Sequence, residues 1–314
     1  MDLKQLRYFQ AIAEEGSISA ASKHLKIAQP ALSLHVRNME DALGTRLLNR
    51  LPRGVALTEA GELLLHRARV VLQEVARIED DIRNLGTSPA GDVRLGLPGT
   101  IGGILSVPLV LSAKSEVPGV RLTISEAMSG FILTWLREGV IDIAVLYGPA
   151  EEKQFRSDLL LSEELVLLAP PGMAMEEEIE PSLLRHVPLI LPSPPHGLRT
   201  LLAGWAREND VRLTPEVELD SYANIIALVE RGHGCSILPR HAVSEKAAGG
   251  LLKLARFATP GLRRDVYLVS NRSAGASHAS DAVAQLVERT VADLVASGIW
   301  AGASQAPRET PSGG

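Results

Sequence analysis

At 314 residues the chain is long enough for two domains with connections, and with 46% hydrophobic residues it can bury sizeable cores. One cysteine excludes an internal disulfide, no run of eighteen apolar residues offers a membrane span, and the eight histidines show neither H-E-x-x-H nor a Cys/His zinc spacing. The net charge of −5 argues against nucleic acid only until it is divided: residues 1–58 hold eight Lys/Arg against five acids, or +3, leaving −8 for the remainder, so a small basic domain can meet phosphates while the bulk is kept off them.

In chain order, Gly16 precedes a short helix that Ser17 or Ser19 can cap, with Ala20 and Ala21 where a neighbouring helix must pack closely. A second helix opens at Gln29-Pro30, because proline at the first helical position loses no intrahelical hydrogen bond. Its apolar stripe is Leu32, Val36, Met39 and Leu43, which leaves Gln29, Ser33, His35 and Arg37 on other faces. Such a set can read a major groove: Gln29 can bond adenine twice, Ser33 can approach either base type, Pro30 or Ala31 can touch a thymine methyl, and Arg37 suits phosphate. Arg46, Arg50, Arg53 and Gly54 lead into the β-favouring Val55 and Leu57, as in a hairpin with Arg53-Gly54 at its tip, a cation for the DNA backbone or minor groove. The competing reading is a three-helix packing unit with a solvated polar face.

Leu64, Ala68, Val71, Val75, Ile78, Ile82 and Leu85 then recur at steps of four and three, the seam of three heptads, between Thr58-Glu59 and the stop at Gly86 and Pro89. A helix of roughly 27 residues is about 40 Å long, too long to bury that stripe on a small domain alone. Dimerisation through it is expected, with packing on its own chain as the alternative. A two-fold dimer implies a dyad-symmetric DNA site.

From about Asp92 the pattern alternates. The apolar runs 93–97, 120–125, 141–146, 164–169, 187–191, 217–219, 235–239 and 265–270 predict strands, and the amphipathic stretches 101–113, 130–138, 198–208, 222–231 and 279–295 predict helices. This argues for parallel α/β sheets, and eight strands suit two small sheets better than one. Ligands in such sheets settle at strand ends against helix N-termini. Thr100 and Ile101, Ser129, Ser193 with His196, and Ser221 stand at such turns, and Tyr147 ends a strand where its ring can line a cleft. Facing helix N-termini would hold a small anion such as a carboxylate. Ser129 and Ser221 are equally explained as helix caps.

An α/β enzyme is the rival reading, but there is no G-x-S-x-G, and the glycine-rich 99–103 lacks the Lys-Ser/Thr of a phosphate loop. GHGCS at 232–236 precedes a strand, so Cys235 is expected buried and inert. No catalytic residue, cofactor or metal is assigned. An exported solute receptor would need a leader, and MDLKQLRYFQ has no apolar signal core, so a cytoplasmic protein is expected.

AQPALS at 28–33, LLNR at 47–50 and RGVALTEAG at 53–61, in that order and spacing, resemble the LysR-type transcriptional regulators, and the similarity covers roughly residues 1–298. The wing and the REG-IDIAVLYG stretch resemble the nitrogen assimilation control branch of that family. The resemblance implies a helical winged helix-turn-helix DNA-binding domain over 1–58, a dimerisation linker helix over 59–88, and an α/β effector-binding domain over 89–298. That domain would comprise two Rossmann-like subdomains similar to type 2 periplasmic binding proteins, about 91–163 with 266–298 and about 164–265, before a flexible tail at 299–314. By the same similarity Gln29, Pro30, Ser33 and Arg53 take the DNA-contact positions, joined in the candidate interface by Leu34, where an arginine is common, His35, where glutamine is frequent, Arg37 and Arg50. It further implies an effector at the Thr100 turn, homodimers that pair into homotetramers, and RNA polymerase as a candidate partner.

Overall fold

Asp2 opens the first helix, α1 (Leu3–Glu15), by a reciprocal cap: its carboxylate accepts from the Gln5 N–H at 2.8 Å and its own N–H donates to the Gln5 side chain at 3.1 Å. This is a computed structural model, and it describes residues 1–83, 88–194, 196–271 and 277–305. They fall into two units, Met1–Thr87 with Arg137–Val140, and Ser88–Leu136 with Ile141–Gly314.

In the first unit the Ser17 hydroxyl accepts from the Ala20 N–H at 3.3 Å and starts α2 (Ile18–Leu25), which ends with Lys26 in the left-handed region. Pro30 lies in the first turn of α3 (Gln29–Leu43), where its missing N–H costs nothing, and Gly44 closes that helix at φ 65°. β1 (Leu48–Leu51) and β2 (Gly54–Leu57) pair antiparallel around Pro52-Arg53. Gly54 has φ 100°, and a Cβ there would stand 2.4 Å from the Gly16 carbonyl oxygen, so only glycine fits. The Val55 N–H donates to that same carbonyl at 2.8 Å and ties the hairpin to the end of α1. Thr58 starts α4 (Glu59–Arg83): its hydroxyl accepts from the Gly61 N–H at 3.0 Å and donates to the Arg46 carbonyl at 2.7 Å. Leu6, Phe9, Ile12, Ala21, Leu32, Val36, Met39, Leu47 and Ala68 form the core. Ala21 is fully buried between helices, as its small size requires.

The second unit runs β3 (Ala90–Pro98), α5 (Gly99–Glu116), β4 (Gly119–Ala127), α6 (Ser129–Arg137), β5 (Ile143–Tyr147), β6 (Phe155–Ala169), β7 (Glu178–Ile179), β8 (Leu189–Leu191), α7 (Gly197–Glu208), β9 (Pro215–Glu218), α8 (Tyr222–Glu230), β10 (Ser236–Pro239), α9 (Ser244–Ala248), β11 (Lys253–Phe257), β12 (Arg263–Asn271), α10 (His278–Ala296) and β13 (Ala303–Gln305). All eight expected strands and all five expected helices are present. The sheets, however, are mixed rather than parallel. β3 is parallel to β4 and β5, but β12 runs antiparallel to β5 and β6, and β10 and β11 run antiparallel to β6. The reason is chain direction: β12 returns from the far half and begins beside Tyr147, where β5 ends.

β6 joins the two halves. Its residues 155–164 pair with β12 and residues 165–169 with β10 and β11, so one continuous strand serves both sheets. One apolar cluster gathers Val93, Leu95, Ile101, Leu161, Leu268 and Val287, and another gathers Leu165 to Ala169, Ile190, Leu202, Ile225 and Leu238. The expectation of a flexible tail from residue 299 is corrected for its first part. Trp300 is 1% exposed, and β13 pairs with β6, because the large indole buries itself and draws the next residues onto the sheet. Residues 306–314 lie outside the described residues.

Candidate nucleic-acid interface and ligand cleft

With about 100° between successive helical residues, Leu32, Val36 and Met39 turn α3 onto the core, and Pro30, Leu34, Arg37 and Asn38 fall on the opposite side, all exposed. Gln29 and Ser33 lie on the flank towards the hairpin, where Ser33, Arg37 and Glu40 line a hollow with Leu48, Arg50 and Val55. Arg50 and Arg53 are exposed on the hairpin, with Arg53 at its tip. The Glu40 carboxylate accepts from the Leu47 and Leu48 N–H groups at 2.8 and 3.2 Å and so fixes β1 to α3. Of the two acids in the helix, Glu40 and Asp41, it is the half-buried one.

His35 departs from the expected outward set. It is half-buried, its ring lies 5.0 Å from that of Tyr8, and its Nδ1 is buried without a hydrogen-bond partner among the described residues, so it packs towards α1. Helical spacing explains this: position 35 falls on the flank away from the hairpin.

The seam of α4 divides. Ala68 is buried and Leu64 half-buried against the unit's own core, Val75 is half-buried, and Val71, Ile78 and Ile82 are 42, 50 and 70% exposed. Leu85 lies outside the described residues.

In the second unit Thr100 stands buried at the start of α5 and shares a short hydrogen bond with the Tyr147 hydroxyl. Arg264 Nη2 donates to Thr100 Oγ1 at 3.3 Å, and its guanidinium carbon lies 3.5 Å from the Tyr147 ring centroid. Arg264 Nε donates to the Glu163 carboxylate, which is fully buried and also accepts from Trp300 Nε1 at 3.0 Å. His241 bridges the same group, with Nδ1 3.2 Å from Glu163 and Nε2 3.2 Å from the Thr100 carbonyl. Burial alone would raise the Glu163 pKa, but Arg264, His241 and Trp300 hold it down to about 2. Burial would likewise favour a neutral Arg264, yet Glu163 raises its pKa, so this cation stays charged in the interior.

His196 caps α7: its Nδ1 accepts from the Leu198 N–H at 3.2 Å, which leaves the proton on Nε2, 3.2 Å from the Tyr222 hydroxyl. Desolvation lowers the His196 pKa and raises that of Tyr222, so both stay neutral near pH 7. With the His196 Nε2–H aimed at the Tyr222 oxygen, the Tyr222 O–H proton is left to point at an acceptor. Among the described residues the buried Arg264 Nη1 has no hydrogen-bond partner. Beside it lies an open hollow of about 300 Å³ lined by Tyr147, Pro149, Leu201, Arg264 and Tyr267.

The structure thus gathers Thr100, Tyr147 and His196 and adds Glu163, Tyr222, His241, Arg264 and Trp300, which sequence reasoning missed. No lone charge in an apolar run marked them: Glu163 stands between Ser162 and Glu164, and Arg264 between Arg263 and Asp265. The remaining predicted residues stand apart. The Ile101 side chain is in the core, Ser129 is half-buried at the start of α6, and Ser221 caps α8 through the Asn224 N–H at 3.4 Å. The Ser193 N–H and hydroxyl donate to Asp220 at 2.8 and 3.0 Å and lower its pKa.

A family model described as "LysR substrate binding domain" matches residues 86–292, and one described as "Bacterial regulatory helix-turn-helix protein, lysR family" matches residues 3–62. The nitrogen assimilation regulatory protein Nac of Klebsiella aerogenes is 29% identical over 91% of this chain and 94% of its own. A probable hydrogen peroxide-inducible genes activator of Mycobacterium avium is 31% identical over 86% of this chain and 88% of its own. Among solved structures, a full-length OxyR variant from Pseudomonas aeruginosa superposes with a TM-score of 0.74 at 25% identity, covering 93% of this chain and 97% of that one.

Proposed function

The chain belongs to the LysR family of bacterial helix-turn-helix regulators, and on that premise we propose that it binds DNA through α3 and the hairpin as a dimer and responds to a small anion held at Arg264. It is a transcriptional regulator with a helix-turn-helix and an effector-binding domain, not an enzyme. Gln29, Pro30, Ser33 and Leu34 are placed to meet bases, and Arg37, Arg50 and Arg53 to meet phosphates, while His35 supports α3 from behind. The exposed Val71, Ile78 and Ile82 supply the dimer seam, and Leu64 and Ala68 hold α4 to its own domain. We place the protein in the cytoplasm with its DNA; among the described residues no helix is long and apolar enough to cross a membrane.

One observation carries the effector reading. The cleft around Arg264 has donors to spare, the buried Nη1 and the Tyr222 O–H, and an anion satisfies both. A ligand shifts the regulator only if it binds one arrangement more tightly than another. Footprints of the full chain on its promoter, with and without a panel of small carboxylates, test this: one member should alter the protected region, and Tyr222→Phe should weaken that response while leaving ligand-free binding intact. An unchanged footprint under saturating carboxylates would remove the anion from the proposal. The peroxide-linked relatives do not supply the signal, since this sequence has one cysteine, Cys235, and burial pushes its thiol up to about 11.

A further inference from the structure

We propose that Leu34 is a base-reading residue whose side chain takes the C5 methyl of one thymine. Leu34 is 56% exposed on the second turn of α3, directly opposite the buried Leu32, Val36 and Met39. A single exposed leucine is ordinary on a protein surface. This one continues an apolar ridge, because Pro30 one turn earlier and Ala31 beside it are exposed as well. On the outward line from Pro30 to Asn38, Leu34 therefore holds a place with no hydrogen-bonding group. His35, the one imidazole in that turn, faces Tyr8, and Ser33 faces the hairpin hollow.

A side chain without donors or acceptors cannot distinguish base pairs by their hydrogen-bonding edges. The thymine methyl is the apolar feature of the major groove, and contact with it is the discrimination left to Leu34. Pro30 and Leu34 are about 6 Å apart along the helix axis, close to two base steps at about 3.4 Å each, so the two side chains meet different base pairs. The inference rests on the reading that α3 enters the major groove, and the test separates failure of that reading from failure of this one.

The full-length protein selects its preferred site from random duplexes, and each thymine of that site is then replaced singly by deoxyuridine, which keeps every hydrogen-bonding edge and deletes only the methyl. Wild type should lose about fourfold in affinity at the thymine met by Leu34, the value of one buried methyl group. Leu34→Ala should abolish that loss at this position alone, and Leu34→Met should retain it. The inference is overturned if wild type shows no loss at any thymine, or if Leu34→Ala keeps every loss. It is also overturned if Leu34→Ala changes self-association without DNA, which would make the ridge a protein contact. A selection that enriches no sequence defeats the DNA-reading assignment itself, and this inference with it.

Discussion

On α3 and the hairpin the residues of interest, Gln29, Pro30, Leu34, Arg37, Arg50 and Arg53, stand exposed, whereas around the second unit's cleft Thr100, Glu163, His196 and Arg264 are buried and bonded to their neighbours. The first arrangement meets its partner with groups that water already solvates, so its energetics belong to binding and ionic strength. The second has taken charges out of water, so its energetics belong first to stability and only then to ligand. The same side-chain chemistry, guanidinium beside hydroxyl, thus serves two purposes according to burial.

The contrast is broken most forcefully at Glu163. Glu163→Ala leaves Arg264 and Trp300 without their acceptor and should cost about 3–5 kcal/mol. The readout is urea unfolding followed by tryptophan fluorescence, because Trp135, Trp205 and Trp300 all lie in the second unit. The Glu163 pKa is depressed on folding, so its contribution is fully present above the unfolded value near 4.5 and fades as pH falls towards about 2. Glu163→Gln should flatten that acid limb, and an unchanged limb would show that another group governs it.

Gly54→Ala comes next. It forces an alanine to φ 100° with its Cβ against the Gly16 carbonyl, which should cost about 1–3 kcal/mol, measured by thermal unfolding of the first unit through its amide circular dichroism. A variant as stable as wild type would mean that the hairpin shifts freely.

Within the interface, Ser33→Ala should remove up to about 1–3 kcal/mol of preference for the selected site. Arg53→Ala should instead weaken binding to every duplex and reduce the salt slope by about one. Competition binding at several salt concentrations checks both, and equal behaviour of the two variants would erase the division between bases and phosphates. The smallest effect belongs to Ser17→Ala, about 1 kcal/mol for the lost cap of α2. A melting point that does not move would show that water replaces the hydroxyl.

The same contrast explains what could be read in advance. The helix-turn-helix was legible because its determinants are local: Ser17 caps, Pro30 starts a helix, Gly54 turns the hairpin, and the apolar stripe follows a single period. In the α/β unit the element order was legible for the same reason, but strand direction was not, since β12 owes its antiparallel sense to where the chain comes from. The first half of β6 escaped notice because Arg156, Ser157 and Asp158 interrupt its apolar pattern. The cleft was half legible. Thr100, Tyr147 and His196 sit at strand ends and helix starts, which spacing can find. Arg264, Glu163, His241 and Trp300 come from separate stretches that meet only in the fold, so no periodicity along the chain announces them.

A strand shared between two sheets has a mechanical consequence. The halves of the α/β unit are connected through hydrogen-bonded β6 and β12 rather than through slack loops, so one half can move against the other only by twisting those strands about their length. Such a joint behaves as a stiff torsion bar. It returns a small rotation for a given load, and it carries that rotation along the backbone beyond the point where the load is applied.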